Sequence, residues 1–297
     1  MRKILDFFTG WIQQVDLVLL ALCTGTTLFG CLMIASATRY TGSYKNVIVQ
    51  IAALGLGIVA YILMSMLDLN EIGKHWKWLL GGSLVLILLL KTPLGMDGGT
   101  GNRAWLGLKN FPVNLQPVEI VKITFIIVLA RQLQYLQEQR DLKSIPSVGM
   151  LAGHLVLVVG LYAAISGDMG SALVLIFIFA CMCFVAGVAK RWFVLGLLGG
   201  GFAFYVLWET DKINPYMKDR FLTLFDHNMD PLGIGWQQTR SLLALGGGKL
   251  TGQGLFNGTQ TQSASAWSLP ARHTDFIFSV IGEELGLLGC LLTILLL

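Results

Sequence analysis

The sequence predicts an all-α, polytopic membrane protein. Of its 297 residues, 55% are hydrophobic and only 13% are charged, a composition that excludes an ordinary soluble domain. Apolar segments long enough to cross a bilayer as helices recur along nearly the whole chain. Lys and Arg are also more frequent in alternate short loops, as the positive-inside rule requires of a multi-pass protein.

Eight apolar segments are predicted as transmembrane helices, and the third gives the weakest signal. In chain order they are 16–36, 47–67, 76–91, 117–134, 148–165, 169–188, 192–208 and 276–297. The segment Met1–Phe8 is interpreted as a short amphipathic helix at the membrane interface, followed by a first span that is not cleaved as a signal peptide.

The distribution of cations predicts that the N-terminus is cytoplasmic. This orientation places nine Lys and Arg on the cytoplasmic side: Arg2, Lys3, Lys74, Lys77, Arg131, Arg140, Lys143, Lys190 and Arg191. The short outer loops then hold five: Arg39, Lys45, Lys91, Arg103 and Lys109. Residues 92–116 and 209–275 consequently face outward, and 209–275 forms a large extracytoplasmic loop between helices seven and eight.

Several classes of function are disfavoured by composition. All five cysteines lie within predicted helices, so no disulfide is expected in the outer loops. The net charge of +4 is scattered and forms no basic stripe, which argues against nucleic acid as a partner. The four histidines have no metal-ligand spacing, so no zinc site is proposed. No linker or short repeat divides the chain, so residues 1–297 are predicted to form one domain.

Charged residues near the outer ends of the helices are candidate site residues. Glu119 and Lys122 are three residues apart, so they share one face of an apolar helix and can pair. Such groups either form a structural ion pair or face a cavity or translocation path. Arg103, followed by Trp105 in a glycine-rich loop, offers a cationic fork beside a flat aromatic face. That pair suits a sugar phosphate, but taken alone the segment is more simply explained as an ordinary glycine-rich turn with an interfacial Trp.

Further acidic residues lie at the ends of helices six and eight. Asp168 is placed to cap the N-terminus of helix six, with a carboxylate aimed into an outer cavity as the alternative. His273 and Asp275 lie at the outer end of helix eight. Glu283 and Glu284 follow about two turns deeper, where at least one is expected to pair with a cation or belong to a buried network.

Two segments of the long loop carry further patterns. Residues 216–225 combine apolar side chains at helical spacing with charges opposite, which predicts a helix on the membrane surface. The run Leu245–Gly254 is rich in glycine, but Lys249 is followed by Leu250 instead of Ser or Thr. A nucleotide-binding loop is therefore rejected.

The segment "LPARHTDFIFSVIGEELGLLG" resembles the signature of the SEDS family, the RodA, FtsW and SpoVE group of bacterial cell-shape, division and sporulation proteins. The blocks "GNRAWLGL", "QPVEIVK", "DPLGIGWQ" and "GQGLFNGTQ" occur in the family's order. The resemblance covers the chain from residue 90 onward. It departs in two places: an "LPEAHTDF" pattern is replaced by Ala271 and Arg272, and a Gln-Pro-Asp pattern by Ser166-Gly167-Asp168.

The resemblance implies a ten-helix glycosyltransferase that polymerises lipid II into peptidoglycan on the outer face of the bacterial cytoplasmic membrane. Two helices would then be absent, and because Leu297 ends the sequence within an apolar helix, a C-terminal truncation is expected. The implied partners are lipid II, a class B penicillin-binding protein acting as transpeptidase, and other membrane proteins of elongation or division complexes.

The resemblance also implies that Asp275 is catalytic and that Glu119 and Lys122 line its cavity. Glycosyl transfer needs a base for the acceptor hydroxyl and cations for a diphosphate leaving group. Asp275 is the candidate base, oriented by His273 and Thr274, and Lys122 with Arg103 are the candidate cations. Asp168 completes the predicted substrate-binding set. A Mg²⁺ or Mn²⁺ cofactor is compatible with this chemistry and is not required by it.

Two other functions are compatible with the sequence. A lipid-precursor flippase or transporter also carries charges in its membrane helices. A scaffold that only recruits a transpeptidase is the second alternative. The enzyme is favoured because the best cluster of polar residues lies at the outer rim and not at mid-membrane.

Overall fold

The computed structural model describes residues 15–97, 102–107, 114–210, 218, 221–223, 233–265 and 267–297. The predicted interfacial helix at Met1–Phe8, Lys109 and most of the predicted surface helix at 216–225 lie outside these residues. The chain divides into two compact units. Unit 1 comprises Met1–Leu67 and Leu207–Leu297, and unit 2 comprises Asp68–Val206.

The described residues are mainly helical. The helices are α1 (Leu17–Thr38), α2 (Lys45–Ser65), α3 (Leu69–Lys74), α4 (Trp76–Leu89), α5 (Pro117–Gln139), α6 (Ile145–Leu155), α7 (Leu161–Ser166), α8 (Met169–Val185), α9 (Lys190–Glu209), α10 (Ile234–Gly247) and α11 (Ile277–Leu296). A π-helical stretch, Val156–Gly160, joins α6 to α7, so that the three form one continuous helical segment. Two short strands, β1 (Gly95–Met96) and β2 (Trp105–Leu106), pair antiparallel.

The helices agree with the predicted class of an all-α, multi-pass membrane protein. Each predicted apolar segment overlaps a helix of the structure. The helical segments Leu17–Thr41, Lys45–Ser65, Ile145–Ser166, Lys190–Glu209 and Ile277–Leu296 are long and apolar enough to cross a membrane, and α4 and α8 are shorter apolar helices. The number of eight crossings stays a prediction. Helices α3 and α10 were not predicted, and α10 occupies part of the segment predicted as an outer loop.

Apolar side chains cover the outside of several helices. None of the described residues of α2 or α9 is buried, and large side chains such as Leu56 and Leu197 are exposed. In water such surfaces would promote aggregation, whereas a lipid environment accommodates them at no cost.

Unit 2 is built around α5. The residues Val121, Phe125 and Leu129 recur at helical spacing on its buried face. They pack in one cluster with side chains of the neighbouring helices: Ile87, Leu151, Tyr162 and Leu175. This packing fixes α5, whose first two turns carry Glu119 and Lys122.

The hydrogen bonding of unit 1 is organised around a break in α11. At Gly286 the backbone adopts φ 67° and ψ −163°, which is not helical, so backbone groups on both sides lose their partners within the helix. The chain between α10 and residue 262 supplies new ones. The carbonyls of Glu283 and Glu284 accept hydrogen bonds from the amides of Gln253 (2.9 Å) and Gly254 (3.0 Å).

The other side of the break is satisfied in the same way. The amide of Leu287 donates to the carbonyl of Lys249 (3.0 Å), and that of Leu288 donates to Leu250 (3.2 Å). Residues 248–262, here called the closing loop, therefore restore the backbone hydrogen bonds of the broken helix. A non-helical stretch is tolerated in a membrane helix only when such partners are provided.

Close backbone approach explains glycine at position 252. Gly252 has φ 83°, and a Cβ atom there would lie 2.1 Å from the Glu284 carbonyl oxygen. An alanine would combine an unfavourable dihedral with a contact that only a backbone shift can relieve.

We expect Gly252→Ala to lower the free energy of unfolding by about 2–4 kcal/mol, from backbone strain and overpacking together. Gly246→Ala is the matched control, because a Cβ atom at Gly246 meets nothing within 4 Å. Thermal unfolding of both purified variants provides the measurement. Equal melting temperatures for the two variants would contradict the described closure of the break.

Candidate active site

The exposed end of unit 1 carries a tight turn, Ala271–Phe276, directly before α11. Amides of Thr274 (3.1 Å) and Phe276 (3.2 Å) both donate to the Ala271 carbonyl, and Ala271 itself has φ 39°. The Thr274 hydroxyl also donates to this carbonyl (3.2 Å), so it does not orient Asp275 in this structure. His273 and Asp275 are both exposed on the turn.

Asp275 has no structural role that the described residues reveal. It does not cap α11, whose N-cap residue is Phe276 and has no side-chain capping bond. Among the residues that the structure describes, no hydrogen bond or ion pair to its carboxylate is found. The carboxylate is therefore accessible.

Arg272 anchors this turn from below. It is only 5% exposed, and its guanidinium donates to the carbonyls of Leu269 and Thr261 and to the Ser268 hydroxyl. The guanidinium carbon also lies 4.1 Å from the centroid of the Tyr40 ring, in a cation–π contact. Burial lowers the pKa of Arg272, while Tyr40 and Glu283 favour its charged form. Arg272, which departs from the family pattern, is thus a buried residue that stabilises the turn.

Glu283 is fully buried, and its carboxylate is surrounded by donors of the closing loop. Oε1 accepts from the Gln260 amide (2.7 Å) and the Thr259 hydroxyl (3.0 Å). Oε2 accepts from both the amide (2.8 Å) and the hydroxyl (2.6 Å) of Thr261. Four hydrogen bonds compensate much of the cost of burying the group.

Glu284 is equally buried and connects the closing loop to α1. Its Oε2 accepts from the Ser36 hydroxyl (2.6 Å) and the Phe256 amide (3.1 Å), and its Oε1 accepts from Gln262 Nε2 (2.9 Å). The expectation that at least one of the two acids belongs to a buried network is confirmed. The partners themselves were not predicted, and the polar run Thr259–Gln262 in the closing loop is the sequence signal that could have indicated them.

In unit 2, Glu119 and Lys122 form the expected ion pair. Lys122 Nζ lies 2.7 Å from Glu119 Oε2, and the side chains are 26% and 58% exposed, respectively. Because both groups are partly exposed, the pair contributes little to stability. Lys122 is the more buried partner, and Glu119 occupies the first turn of α5, where the helix dipole favours a carboxylate.

Asp168 caps α8, as the local sequence predicts. Its Oδ1 accepts from the Ser171 amide (3.2 Å), and its Oδ2 accepts from the hydroxyls of Ser171 (2.6 Å) and Tyr162 (3.0 Å). Burial opposes ionisation, but these hydrogen bonds outweigh it and hold the pKa of Asp168 below its usual range.

Arg103 lies near this cap. It is exposed at the start of the segment that leads into β2, and the preceding Asn102 lies so close to Gly167 that a Cβ atom there would be 3.1 Å from Asn102 Oδ1. Unit 2 therefore brings the loops of Arg103 and Asp168 together. Among the described residues, no group of three or more His, Cys, Asp or Glu side chains is arranged to hold a metal ion.

Comparison with known proteins identifies the family. The family model for FtsW, RodA and SpoVE, described as "Cell cycle protein", matches residues 14–297. The chain belongs to this family.

Relatives of the SEDS family match over nearly the whole chain. The protein of Geobacter metallireducens named probable peptidoglycan glycosyltransferase FtsW is 34% identical over 290 residues, covering 94% of this chain and 73% of its own length. The protein of the same name from Pseudomonas fluorescens is 31% identical, covering 96% and 69%, respectively. The match thus extends well before residue 90, where the resemblance in the sequence begins.

Two solved structures share the fold. A chain from the structure described as "Structural coordination of polymerization and crosslinking by a peptidoglycan synthase complex" superposes with a TM-score of 0.74 at 27% identity, covering 95% of this chain and 74% of its own length. The rod shape determining protein RodA of Thermus thermophilus gives a TM-score of 0.63 at 26% identity, covering 95% and 71%.

Removing the charge of Glu283 should destabilise the protein. In Glu283→Gln an amide NH₂ group faces hydrogen-bond donors at one of the two oxygen positions, which leaves buried groups unsatisfied and costs about 2–4 kcal/mol. Glu71→Gln is the control, since Glu71 only pairs with Lys74 at the surface. Thermal unfolding measures the effect. If Glu283→Gln melts at the control temperature, the buried network does not hold the closing loop.

Proposed function

We propose that this protein is a peptidoglycan glycosyltransferase that polymerises lipid II on the outer face of the bacterial cytoplasmic membrane. The names of its relatives and membership of the SEDS family support the activity. The assignment of the site depends on the environment of Asp275. This side chain is an accessible carboxylate without a structural partner among the described residues, on a turn that Arg272 anchors.

Three carboxylates of unit 1, those of Asp275, Glu283 and Glu284, differ in how accessible they are to a substrate. Glu283 and Glu284 are fully buried and accept several hydrogen bonds each, so they serve the fold. Asp275 is exposed, and a general base must reach the proton that it abstracts. Asp275 therefore takes the catalytic role, and His273 beside it contacts the substrate.

The reaction requires one proton transfer and one bond exchange. The acceptor sugar's hydroxyl oxygen attacks the anomeric carbon of the donor, while the bond from this carbon to the diphosphate oxygen breaks. Asp275 takes the hydroxyl proton, and the lipid diphosphate leaves as an anion. Cations near that anion stabilise the charge that develops in the transition state.

Unit 2 supplies cations of the required type. Lys122 and Arg103 are assigned to the diphosphate, because an ammonium and a guanidinium both bind phosphate oxygens. Glu119 holds Lys122 through their ion pair. Asp168 is assigned to positioning, since its cap fixes the loop beside the segment of Arg103. A Mg²⁺ or Mn²⁺ ion would take most of its oxygen ligands from the diphosphate and water.

The membrane arrangement follows from the same proposal. The chain supplies eight of ten transmembrane helices in a single SEDS domain, its N-terminus is cytoplasmic, and the 209–275 loop is extracytoplasmic. The excess of Lys and Arg in alternate loops supports this orientation.

A transpeptidase is the proposed partner. One of the similar structures is of a peptidoglycan synthase complex, in which polymerisation and crosslinking are coordinated. A class B penicillin-binding protein has the crosslinking activity that glycan strands require, and other membrane proteins of the elongation or division complex would join it. Helices in which no described residue is buried, such as α2 and α9, offer apolar surface for contacts within the membrane.

Replacing the proposed base should abolish polymerisation and preserve the fold. In Asp275→Asn the amide does not accept the hydroxyl proton, and the loss of general-base assistance reduces the rate on the order of 10²–10⁴-fold. Because Asp275 has no structural contact among the described residues, the melting temperature should stay unchanged. Glycan-strand formation from purified lipid II, with the transpeptidase present, is the readout.

Asp141→Asn is the matched control, an exposed aspartate of another loop that should retain full activity. A folded Asp275→Asn protein that polymerises lipid II at the wild-type rate would refute the assignment of the base. A wild-type protein that moves lipid II across a bilayer without polymerising it would instead identify the alternative, a flippase.

A further inference from the structure

A second candidate site lies within unit 2. An open cavity of about 550 Å³ is lined by α4, α5, α6 and the π-helical stretch, and its lining includes Lys77, Arg131 and His154. Val128 and Tyr135 of α5 also line it, 6 and 13 residues beyond Lys122. At 1.5 Å per residue, these positions lie roughly 9–20 Å along the helix from Lys122. The cavity is therefore separate from the ion pair of Glu119 and Lys122.

The charge of the cavity is positive. Its lining contains Lys77 and Arg131 but no Asp or Glu. Lys77 Nζ lies 5.7 Å from the Trp76 ring centroid, and Arg131 Nη1 donates to Gln134 Oε1 at 2.8 Å. Within the part of the chain that the structure describes, neither cation forms an ion pair. Two cations beside an apolar cavity match an anionic ligand.

His154 gives an independent indication of a ligand. Its side chain lines the cavity and the residue is only 7% exposed, and its ring contacts that of Phe125 in a tilted arrangement, with 4.9 Å between the ring centroids. Gln132 Nε2 donates to the Met150 carbonyl (3.0 Å), which directs Gln132 Oε1 toward His154 Nδ1 (3.0 Å). A neutral imidazole that donates from Nδ1 presents Nε2 as an acceptor.

That acceptor is unsatisfied. His154 Nε2 is buried and has no hydrogen-bond partner among the described residues. Buried polar atoms in folded proteins nearly always have a partner, so this one indicates a donor that binds at the cavity. A ligand hydroxyl would supply it.

The remaining lining is apolar. Leu80, Met150 and Leu157 contribute hydrocarbon surface, and Met150 and Leu157 are exposed. Trp76 and Tyr135 belong to the same lining, and such aromatic residues are typical of the boundary between lipid tails and head groups. An acyl chain can therefore leave the cavity along a surface that faces lipid.

We propose that this cavity binds an anionic phospholipid with a hydroxylated head group, of the phosphatidylglycerol class. The phosphate binds Arg131 and Lys77, a head-group hydroxyl donates to His154 Nε2, and an acyl chain follows Met150 and Leu157. The lipid site goes beyond the proposed transferase activity and does not depend on it.

The test is a titration of the purified full-length protein with short-chain lipids, measured by native mass spectrometry. The probes are dioctanoyl phosphatidylglycerol, dioctanoyl phosphatidic acid, dioctanoyl phosphatidylcholine and inorganic phosphate. Phosphatidylglycerol should bind tightest, because it alone combines the anion, the hydroxyls and the acyl chains. Equal binding of phosphatidylcholine would overturn the proposal, and so would inorganic phosphate binding as tightly as the lipid.

Variants locate the binding. The double variant Lys77→Gln with Arg131→Gln loses two charge-assisted contacts, so its affinity for phosphatidylglycerol should fall about 100-fold. The control is Lys74→Gln with Lys190→Gln, which removes the same charge from positions outside the cavity. Melting temperatures of both double variants establish that they are folded. Equal affinity in the two would overturn the proposal.

His154→Phe tests the hydroxyl contact separately. Phenylalanine keeps a ring in contact with Phe125 but removes the acceptor. This variant should bind phosphatidylglycerol and phosphatidic acid equally well, whereas the wild-type protein should prefer phosphatidylglycerol about tenfold. An unchanged preference in His154→Phe would refute the assigned role of Nε2.

Discussion

The fold of unit 1 depends on one constraint: the backbone of a broken membrane helix must find hydrogen-bond partners. Gly286 interrupts α11, and lipid offers no hydrogen bonds to the amides and carbonyls that this break leaves open. The closing loop pairs with both sides of the break and brings its own polar groups into the interior. Those groups are in turn satisfied by Glu283 and Glu284. The two buried acids are thus required because the closing loop, which pairs with the broken helix, brings unpaired donors into the interior.

This arrangement divides the polar residues of unit 1 by role. Buried acids hold the closing loop to α11 and, through Ser36, to α1. Arg272 links the closing loop, through the Thr261 carbonyl, to the turn that carries Asp275. Asp275 itself remains exposed and without a described partner. An accessible carboxylate on an anchored turn suits the general base proposed above.

Local features of the structure could be predicted from the sequence. Apolar length located the helices, the spacing of Glu119 and Lys122 predicted their ion pair, and the position of Asp168 before helix six predicted its cap. Each depends on residues within a few positions of one another. The break in α11 could not be predicted in this way, because the residues that close it lie 30 to 38 positions earlier in the chain than their partners.

The same distinction explains two further differences. Arg272 departs from the family pattern. Ser268 and Leu269 are local partners, but Thr261 and Tyr40 are distant in sequence, so the contacts of Arg272 with these two residues have no local signal. The glycines of 248–254 do not form a phosphate loop, and close approach to α11 explains Gly248 and Gly252. Glycine patterns indicate that backbones approach closely, without telling which backbone approaches.

Hydrogen–deuterium exchange at the break in α11 measures directly whether the closing loop pairs with the broken helix. The amides of Gln253, Gly254, Leu287 and Leu288 are hydrogen-bonded across the break, whereas residues 263–264 lie in a more open segment of the same loop region. We expect the four amides to exchange on the order of 10³-fold more slowly than those of 263–264 in the folded protein. Exchange of all these amides at the same rate would contradict this expectation.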